Sequence, residues 1–317
     1  MEFGLGTPVV QQVPSRARAW EGAAGSRELL RIAERADRFG YAWVTCSDHV
    51  AVPASHVPAM GATWYEPIAT LGFFAARTRR VRLLSHVMVL AYRHPLVLAK
   101  AFATLDRLSG GRVILGVGTG HAKAEFSSLG VSYERRGALA DEALAALACA
   151  LENETSSFGG EFFRWRDMVV DPRPLQRPRP PIWVGGNGRR AVLRAARGAD
   201  GWIPWQVSLE EFRELARLGR EERSRAGLGG WTAVAPLAVG AGEAEGEVLE
   251  RIEAWKAAGA DAFHVGLPHT SFEEFLDRME WFAEVARRAG LGFVSGRSGR
   301  GSARRAGAGS RRTSRGR

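Results

Sequence analysis

The stretch Gly110-Gly111-Arg112-Val113-Ile114-Leu115-Gly116-Val117-Gly118-Thr119-Gly120-His121 constrains this chain more than any other. Val113 to Val117 has the length and β-branched content of a strand buried on both faces, as in a parallel sheet. The glycines after it permit positive φ and the close approach of a ligand, and the run ends on a histidine. Three kinds of site begin this way. A dinucleotide fingerprint needs a third glycine where His121 stands, so the Gly116-x-Gly118 pair alone is a weak signal. A methyltransferase loop normally carries an acidic residue at the position of Gly116. The third kind is one strand-to-helix loop of a barrel, and the rest of the chain decides for or against it.

That rest repeats one rhythm. Strands are expected at Phe3 to Thr7, Tyr41 to Cys46, Val81 to Leu90, Val113 to Val117, Ile182 to Val184, Trp202 to Trp205, Ala233 to Val239 and Phe263 to Leu267. Helices separate them. Ser26 is expected to cap one whose apolar face is Leu29, Ile32, Ala33, Ala36 and Phe39, with Gly40 as its stop. Glu66-Pro67 opens the next, Arg93-His94-Pro95 starts one reaching Leu108, and others cover Arg135 to Leu151, Arg189 to Arg197 and Glu247 to Ala258. Ser208 with Glu211, and Ser271 with Glu274, have the spacing of capping boxes. The segment carrying Phe158, Phe162, Phe163 and Trp165 reads as irregular. Eight strands alternating with helices predict an α/β fold, a closed (β/α)8 barrel of the TIM type, over residues 1–294.

A chain of 317 residues with 45% hydrophobic content is large enough to bury such a barrel as one domain. The net charge of +10 suggests a nucleic-acid partner until it is located. Ser295 to Arg317 holds eight arginines and no acidic residue, so the remainder is nearly neutral and no specific nucleic-acid partner is expected. This tail has no apolar side chain larger than Ala and is expected to be disordered. Weak binding of polyanions or anionic surfaces is its alternative role. Cys46 and Cys149 lack metal-ligand spacing and read as buried free thiols of a reducing compartment. With no apolar run of membrane-spanning length and no signal-like N-terminus, the protein is expected in the cytoplasm, away from membranes.

In a barrel of this kind the site gathers at the carboxyl ends of the strands. Those ends are Thr7, Ser47-Asp48-His49, Ser85-His86, Thr119-Gly120-His121, Gly185-Gly186-Asn187, Trp205-Gln206 and Pro268-His269. Ser47-Asp48-His49, Ser85-His86-Val87 with Arg93-His94-Pro95, Leu105 to Arg112, Gly116 to Gly120 and Pro181 to Asn187, in this order and spacing, resemble the bacterial luciferase-like flavin and deazaflavin oxidoreductases. The resemblance runs from about Phe3 to Gly290 and is greatest to the class dependent on coenzyme F420. It implies a flavin-like ring over the carboxyl end of the barrel, and a homodimer. It also implies a non-prolyl cis peptide at His86-Val87, although relatives usually have a small residue where His86 stands. His121 occupies the place of an acidic glutamate in the sugar-phosphate dehydrogenases, which argues against that substrate class.

The residues support chemistry beside that resemblance. Gly185-Gly186-Asn187-Gly188 before a helix offers free N–H groups and a positive dipole end to a phosphate, with Arg189 or Arg190 adding charge, and its alternative is an ordinary glycine-rich turn. Ser85-His86-Val87 breaks an apolar strand, where a bulge can press on a ring, or where His86 is simply a hydrogen-bonded core residue. Thr119 and Gly120 lie at the same rim. His49 is expected to transfer protons, His121 to contact substrate or serve as an alternate acid, and Asp48 to bind the cofactor or orient a histidine. His264 reads as a satisfied core residue. The expected activity is hydride transfer between coenzyme F420 and a small organic substrate. The alternatives are a flavin mononucleotide (FMN) monooxygenase using molecular oxygen and, less well supported, a non-catalytic polyanion-binding protein.

Overall fold

The computed structural model describes residues 1–293. The tail expected to be disordered, Ser295 to Arg317, lies outside the described residues. In chain order the strands are β1 (Glu2–Leu5), β2 (Trp43–Cys46), β3 (Arg82–Ser85), β4 (Met88–Val89), β5 (Val113–Gly118), β6 (Ser156–Gly159), β7 (Arg164–Met168), β8 (Ile182–Gly185), β9 (Gly201–Ile203), β10 (Thr232–Ala238) and β11 (Ala262–Gly266). β3 and β4 are halves of one barrel strand, parted at His86-Val87, whose peptide bond is cis. Every pairing around the ring is parallel, and β1 joins both β2 and β11 to close it. The eight strand positions are those expected, with ends shifted by one or two residues.

Four local expectations need correction. The segment from Phe158 to Trp165 is part of an antiparallel hairpin, β6 with β7, in which the rings of Phe158 and Trp165 stack at 5.2 Å. Ser26 is the first residue of its helix, and Gly25 is the cap, its N–H donating to Glu28 Oε2 at 2.9 Å. The buried face of that helix is Leu29, Ile32, Ala33, Ala36 and Phe39, as its periodicity requires. Ser208 and Glu211 form a reciprocal box, but Glu274 accepts from Thr270 rather than from Ser271, so the last helix has only half of one. Both cysteines are free, yet only Cys46 is buried.

The barrel interior is built in levels that change character with height. The lower level is a plug of Trp43, Leu84, Ile114, Trp183, Ile203, Val234 and Ala262. Its two indoles meet edge to face at 5.1 Å. Glycines make room for them: a Cβ on Gly4 would lie 1.8 Å from the Trp43 ring, and one on Gly201 2.6 Å from that of Trp183. Along β5, Val113, Leu115 and Val117 face the helices while Ile114 faces the plug, so the alternation turns Gly116 and Gly118 inward above it. The same alternation on β11 puts His264 above Ala262, and its ring meets that of His86 at 4.5 Å. Bulky apolar side chains therefore give way to glycine and imidazole at the level of the rim.

The Leu105 to Arg112 segment lies at the opposite end and is scaffold. Buried Asp106 accepts from the N–H groups of Leu175 at 2.8 Å and Gln176 at 3.1 Å and from Gln176 Nε2 at 2.7 Å. Buried Arg112 donates to the carbonyls of Ser109, Val81, Ala75 and Thr78. Their charges are satisfied within the fold, where an unpaired buried charge would be costly.

Gly116 offers the sharpest test of this packing, because a Cβ there would lie 1.8 Å from the backbone oxygen of Ser85. Gly116→Ala is expected to cost about 3 kcal/mol or more in urea unfolding, since backbone in the neighbouring strand has to shift. Gly22→Ala, where a Cβ meets nothing within 4 Å, is expected to change stability by less than about 1 kcal/mol. Equal effects of the two changes would refute the close approach of β3 and β5.

Candidate active site

Above the plug a cavity of about 640 Å³ opens at the carboxyl ends of the strands. Of the residues anticipated for the site, Asp48, His49, His86, Val87, Thr119, Gly120, His121, Gly185 and Gly186 line it. Val87 stands between two of the inward glycines: a Cβ on Gly118 would lie 2.7 Å from its Cγ2, and one on Gly185 2.5 Å from its Cγ1. Gly120 adopts φ +74 and Gly186 φ +132, so both supply backbone that a side chain would disfavour.

The floor is imidazole. Burial pushes the His86 pKa down to about 4, and burial followed by the proximity of His86 takes His264 well below its ordinary value. Both rings are therefore neutral near pH 7. His264 differs from the satisfied core residue expected, because its Nδ1 is buried without a hydrogen-bond partner among the described residues while the residue lines the cavity. An orphaned polar atom beside a glycine-lined space fits a planar heterocycle with hydrogen-bonding edges.

Not every anticipated residue reaches the cavity. Ser85 is fully buried and latches β3 to β5, its Oγ donating to the Gly116 carbonyl at 2.9 Å and accepting from the Gly116 N–H at 3.1 Å. Asn187 turns its Oδ1 to the next loop, accepting from Trp205 N–H at 3.1 Å and Gln206 N–H at 3.4 Å. Gly188 is the N-cap of the helix Arg189–Gly198, and it, Arg189 and Arg190 are exposed beside the cavity. Their N–H groups form no hydrogen bond among the described residues, as the first turn of a helix requires of its donors.

Asp48 also differs from expectation. Its Oδ2 accepts from Val89 N–H at 2.9 Å and Arg93 Nη1 at 2.7 Å, and its Oδ1 accepts from Arg93 Nη2 at 3.0 Å. The carboxylate is buried, bonded on both oxygens and hydrogen-bonded to no histidine among the described residues. It holds the chain that follows His86-Val87. Such a bidentate, charge-assisted pair is a fixed support.

The partner of His49 is a residue the sequence reading passed over. Glu125, on the short helix Lys123–Ser128, meets His49 Nδ1 at 2.8 Å with its Oε2, and Tyr92 donates to the same oxygen at 3.1 Å. Its Oε1 accepts from the N–H groups of Val50 and Ala51. Burial acts to raise the Glu125 pKa, but the hydrogen bond and charge of His49 and the two backbone donors outweigh it and hold it below the ordinary value. Tyr92 is raised by its burial and by Glu125. Nothing local in the sequence marks it, because a helix carboxylate beside apolar Phe126 reads equally well as one that faces water.

The mouth is aromatic and basic. Trp64 packs on His49 with ring centroids 4.2 Å apart, and His121 lies 5.6 Å from His49 on another side. His121 is open to solvent, yet partial desolvation and then His49 lower its pKa. Across the opening the Arg16 guanidinium lies 5.5 Å from the Trp205 ring centre. His269 belongs elsewhere: it meets buried Glu21 at 3.2 Å and fastens the first long loop.

The family model for luciferase-like monooxygenases matches residues 1–305. An uncharacterised protein of Mycobacterium tuberculosis is 32% identical over 212 residues, 66% of this chain and 72% of that one. An F420-dependent glucose-6-phosphate dehydrogenase of Intrasporangium calvum is 33% identical over 196 residues, 58% of this chain and 56% of its own. An FMNH2-dependent dimethylsulfone monooxygenase of Pseudomonas putida is 29% identical over 196 residues, 58% of this chain and 49% of its own. The chain thus spans about half the length of these last two. A solved monooxygenase from Streptomyces bottropensis has the same fold, with a TM-score of 0.73 at 24% identity over 92% of this chain and 100% of that one. A closed parallel barrel with this rim and a match along nearly its whole length establish that the chain belongs to the luciferase-like monooxygenase family, whose relatives here include both F420-dependent and FMNH2-dependent enzymes.

Proposed function

We propose that the chain is an oxidoreductase that moves hydride between coenzyme F420 and a small organic substrate. The observation that carries this reading is the glycine-lined cavity of about 640 Å³, with neutral imidazoles at its floor and His49 at its wall. A bound deazaflavin supplies or accepts the hydride. Val87, between Gly118 and Gly185, and the neighbouring Thr119, Gly120 and Gly186 would hold its ring. His264 Nδ1, which lacks a hydrogen-bond partner among the described residues, would be a candidate to bond its edge. The free N–H groups at Gly188, Arg189 and Arg190, with the two arginine charges, suit the phosphate end of the coenzyme, so these residues act beside the cavity rather than in it. His49 exchanges the proton that accompanies hydride, and His121 at the mouth contacts substrate or serves as the alternate acid. Asp48 supports the chain that follows Val87 through Val89 and Arg93.

A second copy of the chain fits the same reading. Helices Pro67–Arg77 and Pro95–Ser109 border an apolar groove lined by Ile68, Leu96, Val97, Leu105 and Leu108, and Leu108 is 76% exposed. Among the described residues no helix is long and apolar enough to cross a membrane, and a cytoplasmic location accords with two unpaired cysteines.

Fluorescence titration at fixed salt is expected to give a lower Kd for F420 than for FMN; equal or reversed affinities would transfer the assignment to an FMN monooxygenase. Sedimentation is expected to give a dimer that Leu108→Asp dissociates, and a monomeric wild-type protein would remove the second copy from the account.

A further inference from the structure

We propose that Glu125 is the positioning residue of His49, fixing its imidazole as the Nδ1–H tautomer so that Nε2 is the nitrogen presented to the cavity. This rests on reading the cavity as a hydride-transfer site only for its catalytic consequence; the tautomer itself is a property of the protein alone.

The geometry leaves little choice of tautomer. Glu125 is 2% exposed and its two oxygens meet four donors: Val50 N–H, Ala51 N–H at 3.2 Å, Tyr92 Oη at 3.1 Å and His49 Nδ1 at 2.8 Å. A carboxylate in such a setting is ionised and accepts only, so the nitrogen facing it carries a proton. In a neutral imidazole the other nitrogen is then a lone pair. His49 Nε2 has no hydrogen-bond partner among the described residues, and the ring lines the cavity. Trp64 on one side, 4.2 Å between centroids, and His121 on another, 5.6 Å, restrict rotation of the ring. The other charged groups packed around the pair are already engaged: Asp48 is bonded to Arg93, and Arg93 also lies 3.7 Å from Glu66.

The carboxylate is itself anchored from two directions. Val50 and Ala51 follow His49 on the loop after β2, and Tyr92 follows β4, while Glu125 comes from the helix after β5. One side chain thus ties three strand-to-helix connections and sets the orientation of the imidazole within them. A purely structural tie between these loops would require the two backbone contacts and would be indifferent to which histidine nitrogen bears hydrogen.

Proton-detected nitrogen spectra of the full chain, labelled with 15N-histidine and recorded near pH 8, on the alkaline side of the imidazole range, separate these roles. The His49 signals are assigned by their loss in His49→Gln. Wild-type His49 is expected to carry hydrogen on Nδ1 with at least about a 10-fold excess over the other tautomer, as a charge-assisted hydrogen bond provides. Glu125→Gln retains the shape and an acceptor for Val50 and Ala51, and is expected to lose most of that excess. Tyr92→Phe removes a donor to Glu125 without touching His49 and is expected to preserve it. A wild-type protein with hydrogen on Nε2 overturns the proposal without any variant, and so does a Glu125→Gln protein that keeps the wild-type excess. Failure to bind F420 with the tautomer shift intact would remove the hydride-transfer reading and leave the positioning role of Glu125 standing.

Discussion

The cavity exists because the inward-facing side chains shrink with height. Packing to crystal-like density is the ordinary fate of a barrel interior, and the plug of Trp43 and Trp183 with their aliphatic neighbours obeys it. Above Ile114 the inward positions of β5 are Gly116 and Gly118, and Gly185 faces them from β8. Space that side chains would fill is left to Val87 and to whatever enters from the rim. The same glycines that draw β5 against β3 therefore open the site, and stability and function meet at those positions.

Two buried carboxylates organise the wall of this space, with different tasks. Asp48 has both oxygens bonded, to Arg93 and to the Val89 N–H, so it holds backbone at the edge of the cavity. Glu125 is equally enclosed, but one of its four donors is an imidazole that borders the cavity. Each acid is stabilised as an anion by hydrogen bonds that offset its desolvation. The difference lies in whether a titratable partner faces the ligand. By contrast, His86 and His264 are surrounded by barrel rather than by acids, and remain neutral acceptors or donors at the floor.

Much of the framework was legible from sequence because β-branched runs ending in polar or glycine residues recur along the chain. Those endings put His49, His121 and Val87 at one rim, and the break at His86 is visible as polar residues in an apolar strand. Glu125 was not visible. Its partner is 76 residues away, and nothing local distinguishes a helix carboxylate that turns inward from one that faces water. Asp48 lines the same cavity as His49, but its carboxylate is engaged by the Val89 N–H and by Arg93, contacts that adjacency to His49 in the chain does not reveal. The Asn187 amide oxygen likewise serves the following loop, a contact that loop length alone does not specify. The β6–β7 hairpin was hidden by aromatic residues without clean alternation, and its pairing carries a register shift between Ser156 and Phe158.

The central claim is that the space between Val87 and His49 is where a deazaflavin ring lies. A crystal structure of the protein grown with F420 tests it most directly. The account predicts ring density above Val87 within reach of His264 Nδ1, with His49 still bonded to Glu125 through Nδ1. Density for the ring outside the barrel mouth, or His49 turned away from Glu125 when the ring is present, would contradict it.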